Sequence, residues 1–423
     1  MWAAAAVSGI GDGLELSAFP LLAAYWTRDP VLVSAASVAA QAPWLLLGLP
    51  AGGLVDRWDR KAVLLAADGC RALLVAALAV AVVFDAGSIG LLLVVLFALG
   101  TAQIFFDTSV QAVIPAVAGP GALVRANSLL QGSSTVLVQF AGPAVGAALF
   151  AVAHWLPAGI DAVSYLLGVV LLSRVRGRFR PSLAGPSRLA GPSRLAGPSR
   201  LAGPSRPAGP ERTGSSRHGV AEGLRWLRGD PVIRVLSLAT VLLGMGSAAA
   251  WGVMVLFARH RWHLDGTGYG LLLTASALGS VAGSLVAAPL ARRLPERLLL
   301  TGSAAGSATA FGLLTLAPTA AAAAALLAVN GLMVVVWNVV TVSERQARVP
   351  DALTGRVTAA YRVLAWGSMP LGGLLGGALA SALGLYTAVL TAALLLALAA
   401  LLVGVGRAPL SGGFAPAARE PAG

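Results

Sequence analysis

Two acidic residues stand three positions apart in an apolar stretch near the amino terminus. Asp12 and Glu15 lie within residues 3–26, and this spacing places both carboxyls on one face of a helix. Ionisable groups are costly inside a membrane, so they are functional candidates there. A carboxyl in an apolar cavity favours its protonated form, and this pair can therefore load and release a proton. The alternative is that one of them pairs with a helix end or an arginine.

Other charged residues also stand within apolar stretches. Asp68 and Arg71, again three apart, are predicted to form a structural ion pair, because charges in membranes tend to pair. Arg362 has no partner nearby in the sequence, which leaves an acid on another helix or an anionic substrate. Asp107 and Glu344 are expected to cap helix ends at the membrane interface.

Apolar stretches dominate the chain, which has 423 residues, 57% of them hydrophobic and only 11% charged. Soluble domains carry about a quarter charged residues. A stretch of about 20 apolar residues can cross a bilayer, and in lipid the backbone must be helical. The sequence therefore predicts an all-α integral membrane protein with twelve spans, at residues 3–26, 31–54, 62–83, 88–112, 127–152, 158–173, 232–257, 267–290, 298–317, 320–341, 357–383 and 385–405.

The net charge of +13 comes from arginines concentrated in alternate loops. If the amino terminus is inside, the inner loops and tail hold 25 basic residues and the outer loops hold Arg28, Arg259 and Arg261. This asymmetry predicts a cell-membrane protein with both termini cytoplasmic. The lipid bilayer, rather than nucleic acid, is the expected partner of such a surface.

A low-complexity segment separates the two sets of six spans. Four tandem copies of Leu-Ala-Gly-Pro-Ser-Arg run from Leu183 to Arg206, a composition typical of a tether, although its arginines can also contact anionic lipid. Val220 to Arg228 then predicts a short amphipathic helix at the membrane surface. The predicted organisation is a six-helix bundle, a cytoplasmic linker, a second bundle and a cytoplasmic tail, at residues 1–173, 174–231, 232–406 and 407–423.

The two sets of spans look like parallel repeats. Gln111 to Pro115 recurs as Gln346 to Pro350 in the pattern Gln-Ala-x-x-Pro. Arg125, Gly142 and Gly146 recur at identical spacing as Arg356, Gly373 and Gly377. Duplicated bundles commonly place a substrate site between them, so a central cavity is expected.

The loop after the second span carries the most specific motif, Gly52-Gly53-Leu54-Val55-Asp56-Arg57-Trp58-Asp59-Arg60-Lys61. It resembles the major facilitator superfamily signature Gly-x-Leu-x-Asp-Arg-x-Gly-Arg-Lys, with Asp59 in place of the second Gly. The resemblance implies two six-helix bundles related by pseudo-two-fold symmetry. It also implies a conformational latch between them, formed by Gly52, Asp56, Arg57, Arg60 and Lys61. The alternative is a turn that only carries inside positive charge.

The fifth span contains Gly142, Pro143 and Gly146, which resemble the Gly-Pro-x-x-Gly motif of antiporters in this superfamily, although Val138 stands where an upstream glycine is usual. Together with residues 125–128, 355–357 and 370–373, this motif resembles the drug:proton antiporter branch that includes macrolide and siderophore exporters. The resemblance implies proton-coupled efflux of a small molecule.

The same resemblance implies that spans one, four, seven and ten line the cavity. Met and aromatic side chains there can adapt to varied ligands, although ordinary packing explains each of them equally well. The cavity candidates are Gln103, Phe105, Met245, Trp251, Met254, Asn330, Met333, Trp337 and Asn338, with Arg362 on span eleven.

Enzyme chemistry is disfavoured. The chain has one cysteine, Cys70, and four histidines that lie in loops, with no nucleotide-binding loop. Neither a metal nor a cofactor is expected. The favoured function is multidrug efflux: a proton-driven exporter of amphipathic drugs or natural products that works as a monomer. An exporter of one endogenous metabolite, such as a siderophore, is the second reading, and a membrane sensor, enzyme or channel is the third.

Overall fold

The protein is described from a computed structural model, which covers residues 2–55, 58–118, 135–174, 216–350 and 353–406. Within these ranges the chain is helical and contains no strand, so the all-α prediction is confirmed. The helices are α1 Trp2–Trp26, α2 Pro30–Val55, α3 Arg60–Val83, α4 Ile89–Ala118, α5 Gly142–Val152, α6 Leu156–Ser173, α7 Ser216–Gly229, α8 Pro231–Trp262, α9 Gly266–Arg293, α10 Glu296–Leu314, α11 Ala320–Arg348, α12 Thr354–Leu383 and α13 Leu385–Val405.

Nine of the described helices are long and apolar enough to cross a membrane. Of the predicted fifth span, 127–152, the structure describes residues 135–152, where α5 continues directly from a π-helical segment, Thr135–Ala141. The Leu-Ala-Gly-Pro-Ser-Arg repeats, Arg125 and the tail from Arg407 onward lie outside the described residues.

The first half, α1 to α6, and the second half, α8 to α13, pack their helices in the same order. In the first half α1 contacts α5 and α6, α3 contacts α4 and α6, and α2 contacts α4. In the second half α8 contacts α12 and α13, α10 contacts α11 and α13, and α9 contacts α11. The repeats predicted from sequence spacing therefore correspond to equivalent packing.

The two halves meet through α2 with α12 and through α5 with α9. We call the end of the molecule that carries the loops 27–29, 84–88, 153–155, 263–265, 315–319 and 384 the short-loop end. Close contacts between the halves lie there: the Arg259 guanidinium donates to the Ala24 carbonyl at 2.9 Å, and Gly377 packs against Ser34. These contacts close the space between the halves at this end.

Helix α7 follows the repeat segment and packs against α8 and α12. Its Leu227 is buried with Val232, Ile233 and Val357. Glu222 also accepts a hydrogen bond from Arg356 at 2.6 Å. The predicted amphipathic helix thus buries its apolar side against the second half of the protein.

Candidate functional site

Five carboxyl groups from four helices of the first half gather around one arginine. We call these five residues the acid cluster: Asp12 and Glu15 of α1, Asp68 of α3, Asp107 of α4 and Asp161 of α6. Their electrostatic interactions all include Arg71.

Arg71 is the centre of this site, and its side chain is 1% exposed. It donates to Asp68 at 3.0 Å and also to Asp12 and Gln103. Its guanidinium carbon lies 4.1 Å from the centroid of the Tyr165 ring. Arginine suits this position because a planar guanidinium can stack and donate several hydrogen bonds at once.

Tyr165 of α6 connects the arginine to the two acids of α1. Its hydroxyl accepts from Arg71 at 3.0 Å and lies 2.7 Å from Asp12 and 3.2 Å from Glu15. One hydroxyl proton can serve only one of these acceptors at a time. The arrangement therefore leaves Asp12 and Glu15 competing for the same donor.

The remaining acids differ in their surroundings. Asp68 is fully buried and accepts from Ser8 at 3.2 Å. Asp107 accepts from the Gln103 amide at 3.1 Å. Asp161 is fully buried, and its Oδ2 atom has no hydrogen-bond partner among the residues that the structure describes. Arg71 is the buried cation among these acids, and the exposed Arg362 interacts with Asp107. Full ionisation of all five would therefore leave buried charges unpaired, at a cost of several kcal/mol each.

In the structure, residues that the sequence analysis assigned to separate sites contact one another. The predicted Asp68–Arg71 ion pair is present, but Arg71 also pairs with Asp12. Asp107 lies well inside α4, so its assignment to a helix end was wrong. Glu344 does lie in the last turn of α11 and pairs with Arg348 at 2.9 Å.

Asp161 and Tyr165 were missed by the sequence analysis. They stand four residues apart in α6, so they share a helix face. The sequence did contain a signal for Asp161, because any acid within an apolar stretch is a functional candidate, as Asp12 and Glu15 were. Tyr165 carries no such signal, since a tyrosine in a membrane helix is commonplace.

A cavity of about 620 Å³ lies between the halves and is lined mainly by the second half. It contains five of the predicted cavity residues: Trp251, Asn330, Met333, Trp337 and Asn338. None of the described residues that line it is charged. Its polar groups are mostly hydroxyls and amides, from Ser37, Gln139, Thr240, Ser247, Tyr269, Ser276, Ser280, Ser303, Ser307, Asn330 and Asn338.

Two side chains of the cavity wall have unused hydrogen-bonding atoms. Asn330 and Trp337 lie two turns apart on α11 and are 3% and 5% exposed. Within the described part of the chain, the Oδ1 atom of Asn330 and the Nε1 atom of Trp337 have no hydrogen-bond partner. Buried polar atoms are nearly always bonded in folded proteins, so this pair is a candidate for ligand recognition.

The other predicted cavity residues lie elsewhere. Gln103 belongs to the Arg71 site, and Phe105 stacks with Trp58 at 6.2 Å. Met254 is fully buried in the core, and the Met245 backbone packs against Gly372. The remaining candidate, Arg362, is exposed and interacts electrostatically with Asp107 of the other half.

The predicted antiporter motif packs against the helix that carries Asp12 and Glu15. A methyl group on Gly142 would lie 2.4 Å from the Gly13 Cα atom, and one on Gly146 would lie 2.6 Å from the Leu14 carbonyl oxygen. Pro143 lines the cavity. Small residues allow such close backbone contact, so this motif determines how α1 approaches α5.

The predicted latch is described only in part, because Asp56 and Arg57 lie outside the described residues. Gly52 lies in α2, and Arg60 starts α3. Lys61 donates to the Ser173 carbonyl at 3.0 Å, which ties the start of α3 to the end of α6. Asp59, which replaces the usual glycine, caps α3 by accepting from the backbone of Lys61 and Ala62.

Comparison with known proteins gives consistent results along the whole chain. The profile of the Major Facilitator Superfamily matches residues 1–235, and that of the transmembrane secretion effectors matches residues 205–415. An uncharacterized MFS-type transporter of Mycobacterium tuberculosis is 29% identical over 385 residues, covering 85% of this chain and 80% of that protein. The multidrug efflux pump Tap of Mycolicibacterium fortuitum is 28% identical, covering 88% and 86%.

Other similarities cover a shorter stretch of the chain or have lower identity. The enterobactin exporter EntS of Citrobacter koseri is 31% identical over 157 residues, which is 36% of this chain and 37% of that one. Two solved structures share the fold over almost the entire chain. The nucleoside transporter NupG superposes with a TM-score of 0.74 at 11% identity, covering 95% of this chain and 98% of that one. A bacterial homologue of the lysosomal transporter Spinster superposes with a TM-score of 0.68 at 13% identity, covering 96% and 95%.

Proposed function

Because the chain belongs to the major facilitator superfamily and is a multi-pass membrane transporter rather than an enzyme, we propose that it exports amphipathic drugs or natural products in exchange for protons. The observation that carries this proposal is the acid cluster, in which five carboxyls share one arginine. Such a site needs bound protons to limit its buried charge. It can therefore exchange protons when its access changes.

Asp12 and Glu15 are the proposed points of proton entry and exit. Both are partly exposed, whereas Asp68 and Asp161 are fully buried. Leu16, the next residue of α1, lines the central cavity. Protonation of Asp12 would weaken its ion pair with Arg71 and free the Tyr165 hydroxyl, so proton binding would change contacts among α1, α3 and α6.

The cavity supports an amphipathic substrate. Trp251, Trp337 and Trp366 supply apolar area, and the hydroxyls and amides of the wall supply hydrogen bonds. An anionic ligand would find no described cation on this wall. The similarity to a multidrug efflux pump and to an enterobactin exporter supports export as the direction of transport.

The basic loops support a position in the cell membrane with both termini cytoplasmic. In that orientation the short-loop end is extracellular, and the closed contacts there correspond to an inward-facing state. The monomer contains both halves of the cavity, so no second copy is required. Rocking of the halves about α2, α5, α9 and α12 would then expose the cavity to the other side.

The proposed latch closes the opposite end in the alternate state. Asp56 can accept hydrogen bonds from a helix amino terminus or from an arginine when the inner side is closed. Gly52 would allow the close helix approach, and Arg57, Arg60 and Lys61 would supply the basic side chains of the same loop.

The test is proton release from inside-out vesicles that contain the protein and an imposed pH gradient. We expect several unrelated amphipathic compounds to discharge the gradient, and Asp12→Asn and Glu15→Gln to abolish that response. Asp85→Asn is the matched control, because Asp85 is an exposed acid at the short-loop end with a positive φ that asparagine tolerates. Proton release that survives both substitutions would contradict the proposal.

A narrow exporter of one endogenous metabolite is the second candidate, favoured by the similarity to the enterobactin exporter over about a third of the chain. The two candidates differ in breadth. Under the first, unrelated neutral and cationic compounds should compete for one transport activity. Under the second, a single compound class should be transported and the others should not compete with it.

A further inference from the structure

Asp161 is a member of the acid cluster outside the described ion pairs of Arg71, which are formed with Asp12 and Asp68. It lies in the first half of α6, its side chain is fully buried, and its Oδ2 atom has no hydrogen-bond donor among the described residues. The Ser164 hydroxyl lies 3.4 Å from the other carboxyl oxygen and also donates to the Asp161 backbone carbonyl at 2.9 Å. An ionised carboxylate left in this position would carry a large desolvation cost.

The group that faces Asp161 is the carboxyl of Glu15. Glu15 stands one turn after Gly11, the residue of α1 that packs on Asp161, and the two carboxyls interact electrostatically. Helix α1 comes this close to α6 because residue 11 is glycine: a methyl group there would lie 1.7 Å from Asp161 Oδ1. Two ionised carboxylates have only acceptors, so a hydrogen bond between them requires a proton.

No described cation near Glu15 and Asp161 replaces the proton that the two carboxyls require. Arg71 is the one described basic side chain in contact, and it bonds Asp12 and Asp68 directly. Tyr165 approaches Glu15 at 3.2 Å, while Gln103 of α4 accepts from Arg71 and donates to Asp107. Two other helices packed on α1, namely α2 and α5 with its π-helical segment, contain no ionisable side chain within residues 30–55 and 135–152. Helices α8 and α9 also contact α1, and their ionisable residues lie near the helix ends, at Arg234, Arg259, His260, Arg261, Tyr269, Arg292 and Arg293.

We propose that Glu15 and Asp161 form a single proton-binding site that holds one proton between the two carboxyls in this state. Glu15 is partly exposed and exchanges the proton with water in the cavity, whereas Asp161 is the buried partner that retains it. The step is a simple transfer: a hydronium ion in the cavity donates its proton to the pair and leaves water, and the pair changes from two charged carboxylates to one carboxylate and one acid. Paired aspartates that share one proton behave in this way.

The role of this site in transport rests on the proposed function, but the existence of the site does not. Proton binding itself needs neither substrate nor gradient. The number of protons bound can therefore be measured on purified protein in lipid nanodiscs, by titration through the neutral pH range with an indicator dye. The variants are Glu15→Gln, Asp161→Asn and the double variant, with Asp85→Asn as control.

We expect each single substitution to remove one bound proton per protein, and the double variant to remove the same one proton. Asp85→Asn should bind as many protons as the original protein. Two independent sites would instead lose two protons in the double variant, and an unchanged count in Asp161→Asn would equally overturn the proposal.

A second measurement covers the case in which Asp161→Asn does not fold. Infrared spectra of the original protein should contain the carbonyl band of a protonated carboxyl, and Glu15→Gln, which leaves the buried position intact, should shift or remove it. Spectra without that band would overturn the proposal. Failure of the compounds to discharge the pH gradient, together with the one-proton loss, would contradict proton-coupled export alone.

Discussion

At the residue scale, the ion pairs of Arg71 stabilise the ionised acids of the first half. Among the described ion pairs, those of the acid cluster all involve this side chain. Its ring contacts with Tyr165 and Phe106 hold it against α4 and α6. Removing one partner of a buried ion pair is costly because the other charge remains buried.

Arg71→Gln should therefore destabilise the protein strongly. We expect the free energy of unfolding to fall by about 3–5 kcal/mol, seen as a large drop in the thermal midpoint of the purified protein. Arg292→Gln is the control, because Arg292 is exposed near the end of α9 and should change the midpoint little. A midpoint for Arg71→Gln equal to that of the control would show that the acids are already neutral without their arginine.

The second prediction at this scale concerns Asn330. Its Oδ1 atom is buried without a partner, a condition that costs about 1–3 kcal/mol. Asn330→Leu should keep or raise the thermal midpoint, while substrate-driven proton release falls at least tenfold. If stability falls and transport persists, Asn330 serves the fold rather than the ligand. Both quantities can be measured on the same preparation.

At the scale of elements, glycine pairs govern how α1 meets its neighbours. Gly13 and Gly142 face each other, Gly146 packs on the Leu14 carbonyl, and Gly11 packs on Asp161. Spaced glycines let membrane helices approach closely enough for backbone contact. The motif read as an antiporter signature thus has a direct structural consequence, since it positions the helix that carries Asp12 and Glu15.

Gly142→Ala should separate α1 from α5. The added methyl group would lie 2.4 Å from the Gly13 Cα atom, where no flexible side chain can yield. We expect a loss of about 1–3 kcal/mol in stability and reduced proton release. Gly302→Ala in α10 is the matched control: nothing lies within 4 Å of its methyl group, so it should be neutral or stabilise by about 0.5–1 kcal/mol. Equal behaviour of the two variants would contradict the packing argument.

At the scale of the whole molecule, the charges and the apolar cavity are divided between the halves. The acid cluster belongs to the first half, whereas the charge-free wall belongs mainly to the second. Substrate and proton sites are therefore different surfaces that face the same space. Coupling between them has to pass through relative movement of the halves along α2 with α12 and α5 with α9.

This division predicts that transport of a neutral compound is electrogenic. Exchange of an uncharged molecule for a proton moves net charge, and 100 mV contributes about 2.3 kcal/mol per charge moved. In inside-out vesicles without a pH gradient, a lumen-positive potassium diffusion potential should drive uptake of a neutral substrate. A monovalent cationic analogue exchanged for one proton should not respond. Insensitivity of the neutral compound would contradict this arrangement.

Much of the fold was available from the sequence, because lipid forces each spanning segment to satisfy its backbone hydrogen bonds within its own helix. Helix positions therefore follow from local apolar length, as the agreement of residues 3–26 with α1 and of residues 385–405 with α13 illustrates. The parallel repeat and the basic loops are also patterns along the chain. The proton pair on α1 could be named because both of its acids lie on one helix.

Only the tertiary structure decided which residues of different helices meet. Tyr165 and Glu15 are 150 residues apart in sequence, and no local pattern relates α6 to α1. The helix rotations, which turn Met254 into the core and Trp337 toward the cavity, depend on which glycines contact which backbones. Those contacts form only when the helices pack, so the partnership of Glu15 with Asp161 becomes visible only in the folded chain.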